Sequence, residues 1–378
     1  MNLIDRPFDI VSGINDLETL YTFHNFPVYM GCTDQDISQD ISTNMNWKIS
    51  RSSGMIQLDP LVPLEIVYQS EHNPGTTGKA WMDHHTEFSK FILKYNPKAV
   101  YEIGGSHGTL CNISVDTNPD LKWTIIEPNP VYIDGIKGKI IKGFFLPETD
   151  LPSDVDMVVH SHVLEHVYNP REFFRAFSKR LKGTKVCVSI PNLVLYLNKF
   201  YTNSLNFEHT YLCSEPYVEW WFKTNGYKLN ERFYYSDFSI FYCFEKDDSM
   251  STEPYPNLYD ENKLLFLQYI DYHKKLVTKI NEKINNHQGN VYLFGAHVFS
   301  QFLFNFGLDQ NRIDCILDNS KFKQGKRLYG TKFKVSSPEI LKGEPNPLVI
   351  LRAGVFNNEI KYDIMNNVNC STSFIEEI

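Results

Sequence analysis

The chain has 378 residues, 42% of them apolar and 22% charged, with 37 basic against 45 acidic side chains and a formal net charge of -8. That length suggests two or three domains with a sizeable core. The acidic balance lacks the basic stripe of a nucleic-acid binder, and no apolar run reaches the ~20 residues that cross a bilayer. Seven cysteines (32, 111, 187, 213, 243, 315 and 370) are scattered, odd in number and without a C-x-x-C pair. They predict reduced thiols in a cytoplasmic setting and no zinc knuckle. The opening Met-Asn-Leu-Ile-Asp-Arg is not a basic-then-apolar leader.

In chain order, residues 1–85 read as irregular, rich in Asn, Asp, Ser and Thr. Residues 86–247 alternate apolar strands with helical patterns, which indicates a parallel α/β sheet. Strands are expected at Ala99–Ile103, Trp123–Ile126, Lys139–Gly143, Asp156–His160, Lys185–Ile190 and Ser239–Phe244. Helices are expected at Thr86–Tyr95, Pro170–Leu181 and Glu215–Asn225. Asn169-Pro170 is a helix start and Gly226 a helix stop. Residues 248–259, polar and Pro-containing, read as a linker. A long amphipathic helix follows at about Asp260–Asn286, with Leu264, Leu265, Tyr269, Ile270, Leu276, Ile280 and Ile284 roughly on one stripe. The rest of 260–378 repeats the logic of strand, Gly, helix, strand, Asp: Val291–Gly295, then Ile313–Asp318, then Leu348–Leu351. The fold class is therefore α/β: a central Rossmann-like sheet, a second and smaller Rossmann-like domain, and an irregular amino-terminal region.

Glu102-Ile-Gly-Gly-Ser-His-Gly108 carries the chemistry. Gly104, Gly105, Ser106 and Gly108 form a turn that lets backbone N–H groups approach a ligand at a helix N-terminus. Nineteen residues on, Glu127-Pro128 closes the next strand, where a carboxylate can accept from both hydroxyls of a ribose. Glu102 beside the turn would repel a pyrophosphate. It suits a cationic amino group or a sulfonium, which favours S-adenosylmethionine (SAM) over NAD.

Ser161-His162-Val163-Leu164-Glu165-His166, after the fourth strand, completes a pattern that resembles the class I SAM-dependent methyltransferases. The resemblance implies that Glu102 lies near the methionine amino group, that Glu127 takes the ribose, and that Ser161 and His162 line the methionine side. It puts Phe144 and Phe145 in the region flanking adenine. Glu208-His209, beyond the fifth strand, faces the mouth of the sheet. A His there suits general-base work, and an adjacent acid can orient it.

The carboxyl half carries Lys323-Gln-Gly-Lys326, Gly330-Thr331, Ser336-Ser-Pro-Glu-Ile340 and Phe356-Asn-Asn-Glu-Ile360. In this order they resemble the second Rossmann-like domain of sugar C-methyltransferases, which act on nucleotide-linked deoxysugars. The resemblance implies a SAM cofactor and a nucleotide-sugar or other small-molecule acceptor. It implies a base at His209, oriented by Glu208 and assisted by Tyr68 or His166, with Val67-Tyr68-Gln-Ser70 closing over the cofactor and acceptor. That family has an amino-terminal zinc region; here Ser50 and Ser53 stand in Cys positions, so no metal is expected. Asp237-Phe238-Ser239 replaces a family Gly-Gly-Ser. Methylation at oxygen or nitrogen of another small molecule, or a non-catalytic SAM- or nucleotide-binding module, remain alternatives. No nucleic-acid or membrane partner is expected, and the chain reads as a monomer or homodimer.

Overall fold

The computed structural model describes residues 1–68, 79–130, 135–146, 151–180, 182–249, 251–353 and 356–376. Gln69, Ser70 and Leu181 of the segments above lie outside them. The chain divides into two compact units. The first is Met1–Glu18, Lys48–Leu195 and Glu208–Asn262; the second is Thr19–Trp47, Tyr196–Phe207 and Lys263–Ile378.

The first unit holds a seven-stranded sheet. Its strands are β1 (Ala99–Ile103), β2 (Lys122–Glu127), β3 (Lys139–Lys142), β4 (Met157–Ser161), β5 (Lys185–Pro191), β6 (Tyr227–Tyr235) and β7 (Ser239–Lys246), in spatial order β6-β7-β5-β4-β1-β2-β3. β1 to β5 run parallel, and β7 is antiparallel to both β5 and β6. The expected parallel sheet thus ends in an antiparallel hairpin, and β6 is a strand the residue pattern did not announce. The strand order reverses between β1 and β4. In open α/β sheets that switch point, at the carboxyl ends of the strands, is where ligands bind.

Every residue of β1 is buried, as a central strand covered on both faces requires. Helix α1 (Lys79–Leu93) starts seven residues before the expected Thr86 and buries His84, Phe88, Phe91 and Ile92. Helix α2 (Thr109–Thr117) begins at Gly108, whose φ of +68° sits in the left-handed region. Helix α3 (Pro170–Ser178) starts where the sequence indicates, with the Asn169 side chain accepting from Glu172 N at 3.3 Å. Its Phe173, Phe174 and Phe177 are buried, each contributing about 2–3 kcal/mol by removal from water. Helix α4 (Glu215–Thr224) stops at Gly226, with φ of +81°.

The second unit contains most of the long helix α5 (Tyr259–Asn286) and a five-stranded parallel sheet. Its strands are β8 (Val291–Phe294), β9 (Cys315–Leu317), β10 (Val335–Ser336), β11 (Leu348–Leu351) and β12 (Ser373–Ile375), in order β10-β9-β8-β11-β12. The buried stripe of α5 is Phe266, Tyr269, Ile270, His273, Leu276, Val277, Ile280 and Ile284. Leu264, expected on it, is instead exposed, because the 3.6-residue period continues through Phe266, His273 and Val277.

The amino-terminal stretch is less irregular than its composition suggests, with strands at Leu17–Pro27 and Ser42–Ser50. Within the second unit Phe23 meets Phe302 edge-on at 5.0 Å, and Cys32–Thr33 pairs antiparallel with Arg327–Leu328.

Candidate active site

The turn after β1 is built for close approach. Gly104 has φ of +73°, and a Cβ there would lie 2.7 Å from Val163 Cγ2. A Cβ on Gly105 would lie 2.6 Å from Ile125 Cγ2 and 3.0 Å from Glu102 Cδ. Ser106, with φ of +45°, and His162, with φ of +53°, hold a left-handed backbone that costs a non-glycine residue about 1 kcal/mol or more. The surrounding structure therefore enforces this shape. Ser106 N donates to Glu127 Oε2 at 3.1 Å, and Asn129 N donates to Glu127 Oε1 at 3.0 Å. The acid at the tip of β2 and the glycine turn are thus one hydrogen-bonded assembly, with Pro128 between the two groups that fix the carboxylate.

Glu102 lies behind the turn. It is 3% exposed, and Trp123 Nε1 donates to its Oε2 at 2.7 Å. Burial pushes its carboxyl up to about 7, with the Trp123 hydrogen bond opposing and the Glu127 charge adding to the shift. Phe145 turns onto α3, stacking on Phe177 and meeting Phe173 edge-on, both at 5.6 Å, while Phe144 is largely exposed.

At the end of β4, Ser161 Oγ is buried and has no hydrogen-bond partner among the described residues. His162 N donates to Ser189 O at 2.8 Å, and His162 Nε2 lies 2.8 Å from Ser239 Oγ. Trp81, His84 and Phe238 ring it at 5.0, 5.3 and 5.6 Å between centroids. Burial holds this imidazole well below its ordinary range, so it is neutral near pH 7. His84, with Nε2 2.9 Å from Ser189 Oγ, is likewise lowered by burial, to about 3.

His166 and His209 come together: their rings sit 5.1 Å apart, near perpendicular. Tyr68 Oη lies 3.1 Å from His166 Nδ1. The 208–211 segment is seated by backbone bonds from Thr210 N to Glu165 O (2.8 Å) and from Leu58 N to Thr210 O (2.9 Å). Arg6, half-buried and lowered to about 10 by desolvation, donates to Leu58 O and Thr210 O. Tyr68, Glu208, His166 and His209, widely spaced in sequence, therefore share one locality, and the charge of Glu208 acts on both Tyr68 and Glu165.

Glu165 lies inside the Ser161–His166 loop, and nothing in the residue pattern marks it as a functional group. Its side chain is 1% exposed, and neither carboxylate oxygen has a hydrogen-bond partner among the described residues. The imidazole nitrogens beside it are His162 Nδ1 at 3.5 Å and His166 Nε2 at 3.8 Å. Burial pushes Glu165 up to about 8, with Glu208 adding to the shift. Leu164-Glu165-His166 was the only signal, and it gave no hint of burial.

Ser50 and Ser53 form a hydroxyl turn. Ser50 Oγ donates to Asp16 Oδ1 at 3.0 Å and accepts from Ser53 N at 3.1 Å, while Ser53 Oγ accepts from Met55 N at 3.1 Å. A thiolate zinc site does not fit these residues. In the second unit, Asp318 at the end of β9 accepts from Ala296 N at 3.0 Å and pairs with Lys323 at 2.9 Å. Gly330 packs on Pro27 so closely that a Cβ would lie 2.6 Å away. The Lys323–Thr331 signature thus has a structural use in tying that loop down.

Residues 76–231 match the methyltransferase domain family model. Among solved structures, mitomycin 7-O-methyltransferase is 16% identical, over 45% of this chain and 55% of its own, with a TM-score of 0.40. Human N-acetylserotonin methyltransferase, in complex with SAM, is 13% identical over 44% and 56%, TM-score 0.35. A riboflavin-analogue dimethyltransferase from Streptomyces davawensis is 13% identical over 44% and 56%, TM-score 0.36. The chain spans about half the length of these structures, and at such values they carry no argument. No curated protein matches the chain. The sheet and the domain match coincide in the first unit, where residues 76–231 carry a methyltransferase domain. The second match is narrower: residues 257–378 fit the model of the C-methyltransferase C-terminal domain.

Proposed function

We propose that this chain methylates a nucleotide-linked or related sugar at carbon, with His209 as the base. One observation carries the reading. A C-methyltransferase C-terminal domain match adjoins a methyltransferase module in which Tyr68, His166, Glu208 and His209 gather. The residues around the β1 turn fit SAM. Glu127 keeps acceptor capacity for ribose hydroxyls, and Ser161 Oγ is a buried polar atom still in need of a partner. Glu102 supports the methionine end from beneath Gly105. Phe144 and Phe145 are assigned to the adenine side, with Phe144 the more exposed of the two.

SAM, when bound, supplies an electrophilic methyl group. What the protein's own residues must do is position the acceptor and accept one proton from the carbon beside a carbonyl. His209 takes that proton, and the charge of Glu208 favours the resulting imidazolium. His166, held by Tyr68, packs against the His209 ring and limits its orientation. His162 stays neutral and lines the methionine side.

The test is a His209→Ala variant assayed with a panel of nucleotide sugars, with products read by mass spectrometry. Turnover should fall ~10²–10⁴-fold, the usual worth of a positioned acid or base, while SAM affinity holds. Wild-type turnover in the variant would remove the base assignment. Failure of every nucleotide sugar to gain a methyl group would remove the acceptor class.

A further inference from the structure

Glu165 presents a problem that the methyl-transfer reading leaves unsolved. A carboxylate this deeply buried normally has hydrogen-bond partners, yet both of its oxygens lack one among the described residues. The two imidazole nitrogens beside it stand at 3.5 and 3.8 Å, longer than the ~2.7–3.2 Å of an ordinary N–H···O bond. Two ligand atoms that each lie ~2.1 Å from one tetrahedral cation stand ~3.4 Å apart, so Glu165 and His166, at 3.8 Å, need close by only a few tenths of an ångström to share an ion.

We infer that Glu165, His166 and His209 form a binding site for a divalent transition-metal ion. Each offers one ligand atom, and all three atoms lie within 4.8 Å of one another. The set is two imidazoles and one carboxylate, a combination that suits zinc, cobalt or iron(II) and not calcium or magnesium, which take oxygen. Three protein ligands leave an open coordination position, as in catalytic and not structural zinc sites. Glu165 lies at the buried end, whereas His166 and His209 are part-exposed, so the cluster can be reached by a small ligand from their side. The outer contact is also in place. Tyr68 engages His166 Nδ1, so the nitrogen turned to Glu165 is Nε2. Metal-bound histidines characteristically have their second nitrogen held in this way.

The site has a regulatory consequence that rests on the reading of His209 as base. Coordination uses the imidazole lone pair that proton removal needs, so a bound metal ion and base action at His209 exclude each other. Metal occupancy would then switch methyl transfer off, and a chelator would restore it.

The experiment titrates the full chain with Co²⁺, reading its visible d–d bands, in a Cys370→Ser background because that thiol is exposed. One equivalent should bind with bands of a four- or five-coordinate nitrogen–oxygen site. The bands should be lost in His209→Ala and in Glu165→Gln, and Tyr68→Phe should weaken binding ~10–100-fold. SAM calorimetry reports whether each variant is folded; if Glu165→Gln is not, part-exposed His209 decides the matter. Absence of the bands in the parent protein, or their persistence in His209→Ala, would overturn the site. The two readings fail separately. Cobalt bands in the parent protein, lost in a His209→Ala variant that keeps full turnover, sink the base and leave the metal. No cobalt binding with lost turnover does the reverse.

Discussion

Tyr68 Oη lies 3.1 Å from His166 Nδ1, joining the short segment after Pro63 to the loop after β4. The hydroxyl fixes the plane of the His166 ring, which packs against His209 at 5.1 Å. Tyr68→Phe keeps the ring and removes only that bond. Hydrogen bonds of this kind contribute about 1 kcal/mol, more when one partner becomes charged. Turnover should drop ~10-fold with the SAM affinity intact, in steady-state kinetics alongside calorimetry. A fall in SAM affinity instead would place Tyr68 at the cofactor.

Glu127 connects the glycine turn to the tip of β2 through Ser106 N and Asn129 N. Glu127→Ala removes both anchors and the acceptors proposed for the ribose. SAM affinity should fall by ~100-fold, two hydrogen bonds to an ionised group at about 1.5 kcal/mol each. Glu127→Gln should fall less, since an amide oxygen can still accept one bond. Equal affinity in all three proteins, by calorimetry, would refute the ribose role.

Much of the first unit could be read from residues alone, for definite reasons. Ala99–Ile103 is an apolar run, broken only by Glu102, that opens into glycines, and Asn169-Pro170 is a helix start whose cap the structure shows. β6 was unreadable because Tyr227–Tyr235 pairs on only one side and buries little beyond Tyr227, so its pattern neither alternates nor runs apolar. The early start of α1 was masked by its exposed first turn. The Glu208–His209 locality could be expected from the resemblance, but not the state of Glu165. That depends on Arg6 and Leu58 seating Thr210 against the β4 loop, contacts separated by more than 150 residues. Burial made by such long-range docking leaves no local mark.

Glu102 predicts a pH dependence. Burial raises its folded-state value to about 7, from about 4.5. The folded protein therefore binds the proton more tightly than the unfolded chain. The stabilisation this gives is complete below about pH 4.5 and is lost as the pH rises through 7. Glu102→Gln keeps an acceptor for Trp123 Nε1 and removes the titration. Without SAM, the variant should gain ~2.5 kcal/mol over the wild type between pH 5 and pH 8. Denaturant melts at both values measure it, and contributions from other groups, Glu165 among them, cancel in the difference. A pH-independent difference would mean that Glu102 does not titrate as its burial dictates.

In the second unit, Arg327 and Asp40 form a paired contact, with Nη1 to Oδ2 at 2.6 Å and Nη2 to Oδ1 at 2.7 Å. Both side chains are largely buried, at 12% and 7% exposure. Arg327 also donates to Thr331 O and Gln35 O, and Asp40 Oδ2 accepts from Gly330 N. The pair thus holds residues 35–40 and the Lys323–Thr331 loop as one piece. Breaking a buried pair from one side strands a charge, at a cost of about 3–5 kcal/mol. Asp40→Asn should therefore destabilise the second unit by about that much, whereas Asp40→Leu with Arg327→Met should recover most of it, because the stranded charge is gone. Urea denaturation with hydrogen exchange followed at β8 localises the loss to this unit. An Asp40→Asn cost below ~1 kcal/mol would mean that water reaches the pair and that the backbone contacts alone hold the loop.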